Sequence, residues 1–205
     1  MQIQSCALAG APDDHAPRVW LAQGLDAADR EQARLQARAA LCACLVPELD
    51  CSEDELGISN LRNQAPQLLL RGKPLALPHC SISHAPGLAL LASHWQGTVG
   101  VDIQALDTTA PRHELAAVAR LFLDQKAAQA LIDIPQEAHF LEAFANAWTR
   151  HEARLKCAGL GLVEWSGALE TRLAGIGSAP LLLLLLLDHG YAGAVAWRKP
   201  AGIKA

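Results

Sequence analysis

An acid and a base stand four residues apart at Glu152 and Lys156, so on a helix both side chains face the same ligand. Upstream, Asp102 ends an otherwise apolar stretch, where a carboxylate has no evident structural role. Mg²⁺ usually takes one or two carboxylates, water and substrate phosphate oxygens. Asp102 and Glu152, with the Gln104 carbonyl as a weaker third ligand, therefore suggest a Mg²⁺ site. The alternative for the Glu–Lys pair is an ordinary stabilising surface pair, which contributes about 0.2–0.5 kcal/mol.

Hydroxyl and imidazole groups precede this aspartate at Ser81, Ser83 and His84. They sit at the end of a strand-like segment and could donate hydrogen bonds to a phosphate. The alternative is that they only satisfy the polar groups of a turn. Their value as a phosphate site therefore depends on what lies near them.

Three arginines recur every four residues at Arg30, Arg34 and Arg38, which stacks their guanidinium groups along one side of a helix. Such a row could bind an anionic ligand. A solvated face, partly balanced by Glu31, is the alternative interpretation.

These arginines need a helix, which we predict over residues 26–46, capped by Asp26 and ended by Pro47. The predicted buried stripe of this helix is Leu35, Ala39, Cys42 and Val46.

The aspartate needs a strand, and residues 87–92 and 98–103 read as two strands of a hairpin joined around residues 94–97. In the second strand the two-residue period puts the apolar side chains on one face, where they can pack on a helix. Asp102 and Gln104 then project together from the other face.

The acid–base pair needs a helix over residues 136–157, with a buried stripe at Phe140, Phe144, Trp148 and Leu155 and a stop at Gly159 and Gly161. Shorter helices are predicted over residues 111–121 and 124–132. Three further strands are predicted at residues 169–173, at the leucine run 181–187, and at 191–197; a buried helix is the alternative for the leucine run. Strands and helices thus follow each other without repeated βαβ units, which indicates the α+β class.

The composition narrows the class of protein. The chain has 205 residues, 51% hydrophobic and 19% charged, which suffices for a full core, and its net charge of −4 argues against general nucleic-acid binding. No signal peptide or membrane-spanning segment is apparent, so we expect a soluble cytoplasmic protein. The six cysteines show no zinc or disulfide spacing, so free thiols in a reducing compartment are favoured over a metal or disulfide role.

Four segments in order resemble the 4′-phosphopantetheinyl transferases, and in particular their long single-chain group. They are Arg71-Gly72-Lys73-Pro74, Ser81-Ile82-Ser83-His84, the strand segment Val99-Gly100-Val101-Asp102-Ile103-Gln104, and the helix segment Trp148-Thr149-Arg150-His151-Glu152-Ala153-Arg154-Leu155-Lys156. The resemblance implies transfer of the phosphopantetheine arm of coenzyme A to a serine of an apo acyl or peptidyl carrier protein, with release of adenosine 3′,5′-bisphosphate. It also implies Mg²⁺, with Mn²⁺ as a possible substitute.

The resemblance assigns roles by position. Asp102, Gln104 and Glu152 would hold the metal, and Glu152 would accept the serine proton directly or through water. Lys156 would neutralise the diphosphate. The remaining CoA phosphate contacts would come from Arg34, Arg38, Lys73, Ser83 and His84.

The resemblance further implies two similar α+β halves with the CoA cleft between them, divided near Gly97 into residues 1–97 and 98–205, and we expect a monomer. Two positions depart from the family pattern. Gln104 replaces a second acid, and His151 replaces a lysine that precedes the helical glutamate; Arg150 and Arg154 could compensate for that lysine. These departures leave open a non-catalytic protein that binds CoA and carrier protein. A plain structural domain with accidental motif matches is the third possibility.

Overall fold

The computed structural model describes residues 1–8, 16–59, 65–181 and 190–198. Its helices are α1 (Arg30–Leu49), α2 (Arg112–Phe122), α3 (Gln125–Ile132), α4 (Glu137–Cys157) and α5 (Gly167–Leu173). Its strands are β1 (Gln2–Ser5), β2 (Arg18–Gln23), β3 (Leu56–Ile58), β4 (Leu68–Leu70), β5 (Lys73–Pro74), β6 (His79–Ala85), β7 (Leu88–His94), β8 (Val99–Ala105), β9 (Ile176–Pro180) and β10 (Tyr191–Arg198). This mixture of separate helices and antiparallel strands confirms the predicted α+β class.

The strands form three antiparallel sheets in the described part of the chain. The first has the order β1-β2-β7-β6, the second β8-β10-β9, and the small third sheet β3-β4-β5. In the second sheet Asp102 of β8 lies opposite Ala194 of β10.

Alternation along the strands gives each large sheet two buried faces. On β2, Val19 and Leu21 pack towards β8 and β10, whereas Ala22 packs against α1. On β10, Val195 joins the core between the two sheets and Ala194 packs against α4. The order of layers is therefore α1, first sheet, second sheet, α4.

Helix α4 has one face that is buried along its length, but against different partners in its two halves. Its first half contributes Phe140 and Phe144 to a helical cluster with α2 and α3. Its second half contributes Ala153, Leu155 and Cys157 to the core under the second sheet and α5. The predicted limits of this helix and its end at Gly159, which has a φ of +67°, are confirmed.

The predicted hairpin is wrong. Both of its strands form, as β7 and β8, but they belong to different sheets, since β7 pairs with β2 and β6 while β8 pairs with β10. The apolar face of β8 packs on strands of the first sheet, and it is the Gly100 and Asp102 face that meets a helix. Neighbouring strands in sequence often pair, but here β8 pairs with β10, and Val101 and Val195 of these two strands share the core between the large sheets.

The strand predicted at residues 169–173 is also wrong, because these residues lie in α5. Ser166 caps that helix, since its hydroxyl accepts a hydrogen bond from the Leu169 N–H. The strand predicted at 191–197 is confirmed as β10. The leucine run lies outside the described residues except for Leu181, which is buried between the two large sheets.

Helix α1 is confirmed, but its ends and its buried face differ from the prediction. Asp29 caps it by accepting from the N–H groups of Glu31 and Gln32, while Asp26 closes the turn before it. Pro47 lies inside the last turns and does not end the helix. The buried residues are Ala37, Ala40, Leu41 and Leu45, whereas Leu35 is exposed. Two of the buried residues are alanines, whose small side chains let the helix lie close to the sheet.

The division into two similar halves near Gly97 stays a prediction. No helix in the described ranges is long and apolar enough to cross a membrane.

Candidate active site

Helix α4 crosses β8 at Gly100, and this crossing creates the candidate site. A Cβ at Gly100 would lie within 2.5 Å of the Cys157 nitrogen and still closer to the Ala153 carbonyl oxygen. Only glycine therefore permits this approach of helix to strand. The approach brings the last turns of α4, with Glu152 and Lys156, onto the strand that carries Asp102.

Asp102 and Lys156 form a partly buried ion pair at this crossing. The Lys156 Nζ donates to Asp102 Oδ1 at 2.7 Å and to the Val101 carbonyl oxygen at 3.2 Å. Asp102 as a whole is only 8% exposed. A carboxylate this far from solvent needs a partner of opposite charge, and Lys156 supplies it.

Ser83 of β6 completes the cluster. Its Oγ donates to Asp102 Oδ1 at 2.8 Å and accepts from Lys156 Nζ at 3.0 Å. The same oxygen accepts from the Ile103 N–H at 3.3 Å. One hydroxyl thus joins the strand of the first sheet to the acid and the base of the second half of the chain.

Ser81 makes a matching contact one step earlier, since its Oγ accepts from the Val101 N–H at 3.1 Å. β6 and β8 are edge strands of different sheets, and we call these contacts of Ser81 and Ser83 the serine bridge. Residue numbers increase along both strands from the Ser81–Val101 contact to the Ser83–Ile103 contact, so the two strands run side by side in the same direction. The bridge gives two buried backbone N–H groups their hydrogen-bond acceptors.

Glu152 is half-buried beside this cluster. Burial raises the pKa of its carboxyl, and the nearby Asp102 raises it further, while Lys156 opposes the shift. The predicted acid–base pair therefore faces Asp102, as its helical spacing required. A carboxylate with a raised pKa is suited to accepting a proton near neutral pH.

His84 lies on the exposed end of β6 and faces the arginine row of α1. Desolvation and the positive charges of Arg34, Lys156, Arg38 and Arg30 lower the pKa of His84 to about 4. Because this side chain is exposed, we use the shift mainly as a sign that positive charges surround His84. The structure thus brings together a histidine, a lysine and three arginines, a combination that favours an anion.

His151 lies on a different side of α4, away from this cluster. It is 4% exposed, its ring lies about 6 Å from the rings of Trp148 and Trp165, and its Nε2 has no partner in the described part of the chain. Desolvation, with the charge of Arg154, lowers the pKa of His151 to about 4. It is therefore neutral at pH 7 and cannot supply the charge of the lysine it replaces.

Arg154, one of the two arginines that could compensate for that lysine, contacts α5. Its guanidinium donates to the Leu173 carbonyl oxygen at 3.2 Å, at the end of α5, and desolvation lowers its pKa. Arg150 is exposed and repels Arg154.

Gln104 and Lys73 are two other predicted site residues. Gln104 is half-buried on β8, on the same face of the strand as Asp102. Lys73 is exposed on β5 of the small sheet, and none of the charges that shift the pKa of His84 comes from it.

A divalent cation fits the donor set at the crossing. Asp102 lies close enough to Glu152 to raise the pKa of the Glu152 carboxyl, and Mg²⁺ commonly takes one or two carboxylates from a protein. Across the described residues, no group of three or more His, Cys, Asp or Glu side chains could hold a metal ion. Any further ligands would be the Gln104 amide, water or substrate. No disulfide joins the six cysteines, all of which lie in the described residues.

Two features of the site escaped the sequence reasoning. One is the crossing at Gly100, for which the signal was a glycine in a buried strand, because such a glycine indicates the close approach of another backbone. The alternation of Ser81 and Ser83 placed both hydroxyls on one face of a strand, which was a signal for a shared partner.

The fold and the crossing define an α+β protein whose helical Glu–Lys pair is set against a strand aspartate. Residues 98–189 match the family model of the 4′-phosphopantetheinyl transferase superfamily. A Synechocystis protein provisionally named a 4′-phosphopantetheinyl transferase is 27% identical over 132 residues, which are 64% of this chain and 51% of that protein. The present chain thus aligns with about half the length of that relative. Both matches confirm the predicted resemblance to the 4′-phosphopantetheinyl transferase superfamily.

Proposed function

We propose that this protein transfers the 4′-phosphopantetheine arm of coenzyme A to a serine of an apo acyl or peptidyl carrier protein, as an enzyme of the long single-chain group. The supporting observation is the convergence of Asp102, Glu152 and Lys156 where α4 crosses β8. The superfamily match covers this crossing and α4. The arginines of α1, together with His84, form an anion-binding subsite beside it.

In this reaction the serine oxygen of the carrier attacks the phosphorus next to the pantetheine arm. The new P–O bond forms as the bond to adenosine 3′,5′-bisphosphate breaks, and the serine proton passes to Glu152 directly or through water. Phosphoryl transfer depends mainly on positioning and on positive charge around the phosphate oxygens. Lys156 would supply that charge when a diphosphate competes with Asp102 for its ammonium group.

Asp102 and Glu152, with Gln104 as a weaker ligand, would hold Mg²⁺. The ion, when bound, would neutralise charge on the diphosphate. Arg34, Arg38, His84 and Lys73 would bind the 3′-phosphate of CoA. Protonation of His84, which its cationic neighbours oppose in the free protein, would then become favourable beside the phosphate. An acidic helix of the carrier protein would dock on the locally basic surface, and we expect a monomeric cytoplasmic enzyme.

The decisive experiment is intact-mass spectrometry of apo carrier proteins incubated with the protein, CoA and Mg²⁺, with EDTA as the control. A metal-dependent mass gain of one phosphopantetheine arm is the expected result. No gain on several carriers, with CoA still bound, would replace this proposal by a non-catalytic protein that binds CoA and carrier, the alternative that Gln104 and His151 favour.

The variant that tests the site is Glu152→Ala, which should abolish the mass gain while CoA still binds. Glu142→Ala removes an exposed carboxylate from the same helix and should leave transfer unchanged. An active Glu152→Ala enzyme would refute the assignment of this residue as metal ligand and proton acceptor.

A further inference from the structure

We propose that Ser83 is a positioning residue for Asp102 and Lys156 and does not itself contact a phosphate of CoA. The expected change in kcat rests on the proposed function, whereas the expected change in cation binding does not. It changes the role that the resemblance gives to Ser83, which was a contact to CoA phosphates.

The hydrogen bonds of Ser83 carry this inference. A serine hydroxyl has one proton to donate and two lone pairs that can accept. In this structure the proton goes to Asp102 Oδ1, and the oxygen accepts from Lys156 Nζ and from the Ile103 N–H. Ser83 is 6% exposed. Its bonding capacity is therefore filled inside the protein before any ligand arrives.

The contacts to Asp102 are one-sided. Both Ser83 and Lys156 bind Oδ1, and in the described structure Oδ2 has no hydrogen-bond partner. The serine thus fixes the rotation of the carboxylate and keeps Oδ2 available to a cation. It also holds the ammonium group of Lys156 beside Oδ1, since the three groups form a closed triangle of hydrogen bonds.

Removal of the Ser83 hydroxyl should affect the carboxylate first. In Ser83→Ala the carboxylate of Asp102 can rotate and pair with Lys156 through both oxygens, so that the two side chains bind each other instead of a ligand. We therefore expect weaker cation binding and a lower kcat, with little change in the affinity for CoA. Ser83→Thr retains a hydroxyl and should restore much of the cation affinity.

Ser81 provides a matched control. It is equally buried on the same strand and makes the same kind of bridge to a backbone N–H of β8, but it has no contact with Asp102 or Lys156. Both Ser81→Ala and Ser83→Ala should lower thermal stability, because each leaves one buried N–H without its acceptor. Ser83→Ala should lower it more, since the bonds to Asp102 and Lys156 are also lost. Only Ser83→Ala should change cation binding.

The test measures binding of Mn²⁺ by electron paramagnetic resonance, in the presence of CoA, for the full-length wild type and the variants Ser81→Ala, Ser83→Ala and Ser83→Thr. Calorimetry with CoA in EDTA gives the affinity for CoA separately, and steady-state kinetics give kcat and KM. We expect the Kd for Mn²⁺ to rise about fivefold or more in Ser83→Ala, the loss typical of one hydrogen bond, and to stay within about twofold in Ser81→Ala.

Two results would overturn the inference. Weaker binding of CoA in EDTA with unchanged Mn²⁺ binding would make Ser83 a phosphate contact. Equal loss of Mn²⁺ binding in Ser81→Ala and Ser83→Ala would reduce both serines to structural bridges. If the wild type transfers nothing, the proposed function fails, but the Mn²⁺ and CoA measurements still decide the role of Ser83.

Discussion

Gln104 stands where an additional carboxylate would complete the candidate metal site. It lies on the Asp102 face of β8 and offers an amide oxygen without charge. Since Mg²⁺ prefers charged oxygen ligands, Gln104→Glu should lower the Mg²⁺ concentration needed for half-maximal transfer by about threefold or more, with an equal or higher maximal rate. Titration of initial rates with Mg²⁺ measures this.

A matched control for the added charge is Gln125→Glu, at an exposed position of α3. It should leave the Mg²⁺ titration unchanged. A greater Mg²⁺ requirement in Gln104→Glu would show that the amide at this position serves another purpose.

His151 should make the protein less stable in acid. The pKa of its buried ring is lowered from an ordinary value near 6.5 to about 4, first by desolvation and then by Arg154, with Asp124 opposing. The unfolded chain thus binds more protons than the folded one between these values, so stability is complete above pH 6.5 and is lost as the pH falls towards 4. The expected loss for this one group is about 3 kcal/mol.

The variant His151→Phe should flatten this part of the pH dependence, and at pH 7 it should be at least as stable because an unpartnered buried Nε2 is removed. Urea unfolding at pH 7, 6, 5 and 4.5 measures it, with the exposed His139→Gln on the same helix as the control. An unchanged slope in His151→Phe would mean that the ring is solvated.

At the scale of elements, the contact of α4 with β8 depends on Gly100. In Gly100→Ala the new Cβ meets backbone atoms of Ala153 and Cys157, which cannot rotate away. We expect a destabilisation of about 1–3 kcal/mol and a loss of transfer greater than the fraction unfolded explains, since Glu152 and Lys156 must move away from Asp102.

The control for this substitution is Gly57→Ala in β3, another strand glycine, where an added Cβ meets nothing within 4 Å. Chemical denaturation and transfer rates on the same samples separate stability from activity. A Gly100→Ala protein with wild-type rate and stability would show that α4 does not lie against β8 as described.

At the scale of the whole molecule, the arginine row of α1 and Lys156 of α4 come from distant parts of the chain, and both influence His84. Arg34→Ala should weaken binding of CoA about tenfold while binding of dephospho-CoA, which lacks the 3′-phosphate, changes little. The surface variant Arg120→Ala carries the same loss of charge and should bind both ligands like the wild type.

The pKa of His84 provides an independent measurement of the effect of Arg34. Without the repulsion of Arg34, the pKa of His84 should rise towards its ordinary value, which a proton NMR titration of the ring can follow. Equal weakening of CoA and dephospho-CoA in Arg34→Ala would place this arginine away from the 3′-phosphate.

The sequence predicted the parts of this architecture that depend on local periodicity. The limits of α4, the shared face of Glu152 and Lys156, and the alternation of β8 follow from neighbouring residues alone. The pairing of β8 with β10 and the contact between β6 and β8 depend on cores assembled from distant segments, which no local pattern encodes. His151 is an intermediate case, because its position one residue before Glu152 already required a different helix face.

The serine bridge has a consequence for hydrogen exchange. The amides of Val101 and Ile103 are protected by side-chain hydroxyls of β6, whereas strand pairing with β10 protects other amides of β8. Exchange at these two amides therefore reports separation of the two sheets without unfolding of either. In Ser81→Ala the amide of Val101 should exchange faster while that of Ile103 keeps its protection, so that the two positions provide a local gauge of opening at the site itself.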